Sequence, residues 1–146
     1  MDKSDIIEKV ASIFHEKWRE NRLIDNGKSM LEKSEDKEWN MKHWIDVVDI
    51  ANTEFEDLPS NRKYENFEAA KVAVDLVYEK IVNKEKIDSK MIEEMSKIVH
   101  EKWLERNGVQ WSFENQRIAY QNLSEEEKAK DRIQIKLAIQ IIKSEI

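Results

Sequence analysis

Apolar residues at spacings of three and four mark the start of the chain. Ile6, Val10, Ile13 and Phe14 form a stripe flanked by Ile7 and Trp18, which predicts an amphipathic helix over residues 3–22. The same stripe returns at Met91, Ile92, Met95, Ile98, Val99 and Trp103. Between the two copies, residues 28–37 lack a period and read as a solvated loop, whereas Trp44, Val47, Val48, Ala51 and Phe55 predict a further helix. Pro59 is tolerated in the first turn of a helix, where its missing N–H would have no partner, and it opens a helix ending near Val82 with Tyr64, Phe67, Val74, Val77 and Ile81 inward. Ser124-Glu125-Glu126-Glu127 fits a capping box, with its acids at the positive end of the closing helix. From 109 to 123 the period shifts to two, at Val109, Trp111 and Phe113 and again at Ile118 and Tyr120, which predicts short extended segments and one small hairpin.

The two stripes belong to a repeat. Residues 4–20 (SDIIEKVASIFHEKWRE) and 89–105 (SKMIEEMSKIVHEKWLE) share nine of seventeen positions, including a common His-Glu-Lys-Trp block. Each copy is followed by Asn-Gly, at Asn26-Gly27 and Asn107-Gly108, where a helix end favours a residue free to take positive φ. The second halves align at a different offset, pairing Leu58 with Leu123, Lys63 with Lys128, Lys71 with Lys136 and Ala73 with Ala138. The change of offset means that the first unit carries about twenty extra residues in its middle. The expected fold is therefore mainly α: duplicated helix–connector–helix units, 1–84 and 85–146, packed as a pseudo-twofold pair in a single domain 1–146, with minor short β segments.

Composition narrows the classes. Two Gly and one Pro in 146 residues cannot serve the turns of an all-β fold. The net charge of −6 argues against non-specific DNA binding, and the lack of Cys removes disulfides, thiolate metal sites and Cys nucleophiles. Charges spaced through the first twenty residues and the absence of a long apolar run predict no signal peptide and no membrane span, hence a cytoplasmic protein. A Lys-, Glu- and Ile-rich composition suits an AT-rich genome, as in a low-GC bacterium or its phage.

The ordered motifs resemble the ryanodine-receptor (RyR) repeat domain: His100-Glu101-Lys102-Trp103, then Gly108 with Trp111-Ser112-Phe113, then Leu123-Ser124-Glu125-Glu126-Glu127-Lys128 and Asp131-Arg132. The first unit offers His15-Glu16-Lys17-Trp18 and Leu58-Pro59, but its inserted middle replaces the short aromatic element. The second unit departs too, with two residues between Gly108 and Trp111 and no proline before Leu123. The resemblance implies a non-catalytic module that senses or sequesters a nucleotide-derived signal, without a cofactor.

The candidate ligand-binding residues follow from side-chain chemistry. Trp18 and Trp103 suit either core packing or an aromatic wall for a planar ligand, and His15 and His100, three residues earlier, suit a structural hydrogen bond or a ligand contact. Lys17 and Lys102 fall on the apolar faces, where each either snorkels to solvent or meets a phosphate in the groove between units. Trp111, Phe113 and Tyr120, with Arg117, form the densest aromatic-plus-cation cluster, suited to stacking a base and neutralising phosphate. Trp39, His43 and Trp44 form a second cluster, equally suited to a protein interface.

Two other classes remain open. The exposed aromatics could serve a protein–protein adaptor or a homo-oligomer. Alternatively, Glu35-x-x-Glu38 and Glu54-x-x-Asp57 could hold Mg²⁺ as in an all-α nucleotide pyrophosphohydrolase, since carboxylates at i, i+3 share a helix face. No His-x-x-x-His pair supports a zinc site, and no P-loop or Ser-His-Asp arrangement is present. The reading is a non-enzymatic module that binds a small phosphorylated or nucleotide-like ligand.

Overall fold

A computed structural model describes residues 2–25, 28–107 and 119–146, with only the backbone for 22–25. The protein is mainly α, with five α-helices among the described residues: α1 (Lys3–Asp25), α2 (Lys37–His43), α3 (Ser60–Val82), α4 (Ser89–Asn107) and α5 (Glu125–Glu145). Strands β1 (Leu31–Lys33) and β2 (Val47–Asp49) pair antiparallel, with Glu32 opposite Val48, and single 3₁₀ turns at Phe55–Asp57 and Tyr120–Asn122 lead into α3 and α5.

The starts of α1 and α4 are set by aspartates: Asp2 accepts from the Asp5 N–H and Asp88 from the Met91 N–H, both at 2.9 Å. Each satisfies one of the N–H groups that a helix start leaves unpaired. At α5, Ser124 Oγ accepts from the Glu127 N–H at 3.2 Å, the expected half of the capping box. The other half is replaced, because the Glu127 carboxylate is held by Lys130 at 3.0 Å. Pro59 sits one position before α3 rather than in its first turn, and its carbonyl accepts from the N–H groups of Arg62 and Lys63.

Helices α3 and α5 run against each other at the centre. Helix α1 packs on α3 and also reaches α5, and α4 packs on α5 and also reaches α3. Ile6 and Val10 from α1, Val74 and Val77 from α3, and Ile135 and Ile142 from α5 are all sealed from solvent in one core, which Met95 and Val99 of α4 join.

The inserted middle differs from the expected helix. Residues 28–37 contain β1, and the stripe from Trp44 to Phe55 is split between the end of α2, strand β2 and a 3₁₀ turn. Val48, Ala51 and Phe55 are buried as expected, but Trp44 is 94% exposed. Trp44 ends α2 in the left-handed region (φ 59°), donating its N–H to the Asn40 carbonyl. Tyr64, also expected inward, is exposed on α3. Hydrogen bonds anchor the insert: Asp36 caps α2 through the Trp39 N–H and also accepts from the Ser60 N–H, while Asn61 and Arg62 both donate to the Lys33 carbonyl.

A residue other than Gly loses about 1–2 kcal/mol in the left-handed region, while Gly costs about 0.5–1 kcal/mol through its freer unfolded state. Trp44→Gly should therefore stabilise the fold by a few tenths to about 1 kcal/mol, read from urea unfolding. A loss of stability would show that the exposed indole contributes contacts.

Candidate functional site

Each repeat builds the same small cluster. In the first unit the His15 ring stacks on Trp18 (centroids 5.8 Å apart, planes at 22°) and meets Phe55 at 6.4 Å and 56°. In the second, His100 stacks on Trp103 (6.2 Å, 13°) and meets Tyr120 at 6.4 Å and 55°. A lysine covers the third ring in both: Lys63 over Phe55 at 5.8 Å and Lys128 over Tyr120 at 5.5 Å. The cause is local and repeated. A His and a Trp three apart on one helix share a face, and the 3₁₀ turn before the closing helix brings an aromatic ring onto the histidine.

The clusters differ in how each histidine is held. His15 is buried and donates through Nε2 to the Thr53 carbonyl at 2.8 Å. Burial lowers its pKa from the ordinary histidine value, against the smaller opposite pull of that carbonyl. His100 is buried too, with Nδ1 3.5 Å from Oδ2 of the buried Asp131. Burial raises the Asp131 carboxyl to about 6, with Glu127 adding to the rise and His100 and Lys130 opposing it. In the alignment of the second halves Asn66 stands where the second unit has Asp131.

The Tyr120 hydroxyl donates to Glu93 at 2.9 Å, and Arg132 bonds the same carboxylate as well as Glu125. Arg132 holds the Glu93 carboxyl below its usual range, and burial together with Glu93 pushes Tyr120 up to about 12. In the first unit the corresponding ring, Phe55, instead meets Phe67 edge-on at 5.5 Å.

Both clusters open on one groove of about 710 Å³ between the units, within the range of about 300–1,000 Å³ that small-molecule sites occupy. The groove gathers His15, Lys17, Trp18, His100 and Trp103. The two tryptophans are half-buried, leaving ring surface toward the groove. Asn21, Asn61, Asn66, Asn107 and Gln134 add amides to the walls. The buried Gln134 Oε1 has no hydrogen-bond partner among the described residues. Lys17, Arg62 and Lys130 bring positive charge, against the carboxylates of Glu32, Glu65, Glu127 and Asp131. Glu65 bridges the units, accepting from Arg106 at 2.8 and 3.2 Å and from Asn107 at 3.3 Å.

Other expected site residues lie elsewhere. Lys102 does not line the groove, and Lys17 and Lys102 are each half-exposed and paired at 3.4 Å with the glutamate one turn on, Glu20 and Glu105. The twin cations are therefore surface residues of their own helices rather than a pair aimed into the groove. Tyr120 is buried and sits in a 3₁₀ turn rather than an extended segment. Trp111, Phe113 and Arg117, with the expected hairpin, lie outside the described residues. Trp39 and His43 stack at 4.1 Å, with the indole N–H given to the Asp57 carbonyl at 2.8 Å.

Glu35 precedes α2 while Glu38 lies on it, and Glu54 precedes the 3₁₀ turn that holds Asp57, so neither pair shares an α-helical face. Among the described residues, no group of three or more His, Asp or Glu side chains is placed to hold a metal ion. No described helix is long and apolar enough to cross a membrane.

No sequence pattern assigns a role to Arg62, Asn66 or Gln134, and Asp131 entered only through the Asp131-Arg132 pair of the closing helix. Asp131 is flanked by Lys130 and Arg132, and the available signal for its burial was its helical spacing from Ile135, Ala138 and Ile142. Comparison with known protein families, with curated proteins and with solved structures finds no match for this chain.

Proposed function

We propose that the chain is a non-enzymatic binding module of two RyR-repeat-like units related by a pseudo-twofold axis, and that the groove between them takes a small nucleotide-derived or phosphorylated ligand. The carrying observation is that the His–Trp pairs of both repeats line this one groove. A planar base stacks on the indole faces, and the wall amides meet its donors and acceptors. Three cations against four carboxylates favour a ligand with one or two negative charges over a triphosphate. Lys17 is released to phosphate at little cost, since an exposed ion pair such as Lys17–Glu20 contributes only about 0–1 kcal/mol.

A thermal-shift screen of nucleoside mono-, di- and triphosphates and their cyclic forms tests this reading. A ligand at a hundred times its Kd stabilises the fold by about 2.7 kcal/mol, a shift of several degrees. The expected result is a hit among monophosphates or cyclic forms that Trp103→Ala abolishes; a flat screen contradicts the reading.

The adaptor reading has its own observation: Leu31, Met41, Trp44 and Ile45 are apolar and exposed in the insert. Concentration-dependent self-association without any small-molecule shift would favour that reading.

A further inference from the structure

We infer that the groove takes a ligand with two planar groups, a dinucleotide, with one base against Trp18 and the other against Trp103. The inference rests on the nucleotide-binding reading above and deepens it. Each unit supplies a complete half-site: a half-buried indole, and beneath it a histidine stacked at 5.8 Å in one unit and 6.2 Å in the other. Because both half-sites open on the same groove of about 710 Å³, they are available to one ligand together.

Charge fits the same class. A phosphodiester-linked dinucleotide carries one negative charge between its bases, which a groove holding both lysines and carboxylates accommodates better than a polyphosphate. The two units differ at one aligned position on the groove wall. Asp131 beside His100 accepts hydrogen bonds when ionised, whereas Asn66, aligned with it and also lining the groove, both donates and accepts. The Trp103 half-site therefore selects a base that presents N–H donors, and the Trp18 half-site is the more permissive one.

Joining two groups makes the second contact intramolecular, with an effective concentration in the millimolar range, so avidity exceeds either single affinity by about a hundredfold or more. The test is calorimetric titration of the intact chain with the four nucleoside 5′-monophosphates and the four matching linear homodinucleotides. The expected result is one dinucleotide per chain, bound at least about a hundredfold more tightly than its monophosphate. Trp18→Ala and Trp103→Ala should each return the dinucleotide to the monophosphate's affinity. A monophosphate that binds at one site as tightly as its dinucleotide overturns the two-base inference and leaves the nucleotide reading standing. Failure of all eight probes overturns both. The comparison on the wild-type chain decides the matter even if a tryptophan variant does not fold.

Discussion

Separated at the α3–α4 connection, neither 1–84 nor 85–146 should hold its fold. The reason is the position of the core. Val74 and Val77 of α3 and Ile135 and Ile142 of α5 are fully excluded from water where these two helices meet, and α1 and α4 each reach across to the other unit's closing helix. Cutting the chain exposes both sides of that contact. A unit of about sixty residues is already marginal because it buries only about 60% of its surface, and fully burying one such side chain is worth about 1.5–3 kcal/mol. Far-UV circular dichroism of each half should show much reduced helicity and no cooperative melt, with both regained on mixing. A half that melts cooperatively alone would show that each unit owns its core.

Asp131→Asn should stabilise the protein at neutral pH. The Asp131 carboxyl is buried and titrates near 6 instead of 3.8, so the folded state holds a proton that the unfolded state has released between those values. Stability therefore falls as pH rises from about 4 to about 6, and the whole penalty is present at pH 7. Each pKa unit corresponds to about 1.4 kcal/mol, which bounds the effect near 3 kcal/mol and makes a gain of about 1–2 kcal/mol the expected size. His15 acts in the opposite direction: its lowered pKa removes stability as pH falls below 6.5. The difference between wild type and variant cancels His15. That difference should be full above pH 6 and vanish near pH 4, measured by urea unfolding across the range. A variant less stable than wild type at pH 7 would mean that the carboxylate forms a net favourable pair with His100.

The helical frame was legible because its signal is long. Stripes of about twenty residues, repeated at Ile13/Ile98 and Trp18/Trp103, leave little room for another period. The insert was not legible for the opposite reason. Strands of three residues are too short to establish a period of two, and Val48, Ala51 and Phe55 have helical spacing while sitting in successive short elements. The exposed Trp44 shows the limit of the pattern, which marks apolar residues but not whether a partner surface covers them.

The site divided along similar lines. The His–Trp pairs were visible as a repeated block, and both copies line the groove. Lys17 and Lys102 looked misplaced on an apolar face, yet a long side chain near a helix end reaches solvent and a glutamate one turn away. Gln134 carried no motif, and Asp131 was visible only in the Asp131-Arg132 pair without a role, since what each does depends on how α5 is turned toward α4, a tertiary property.

The most direct test of the groove as the binding site is an NMR titration that follows the tryptophan indole N–H signals as the best-binding nucleotide is added. The account predicts that the Trp18 and Trp103 signals move together at one affinity, while those of Trp39, held by the Asp57 carbonyl, and of the exposed Trp44 stay in place. Movement confined to Trp39 and Trp44, or to Trp111, with Trp18 and Trp103 unmoved, would contradict it.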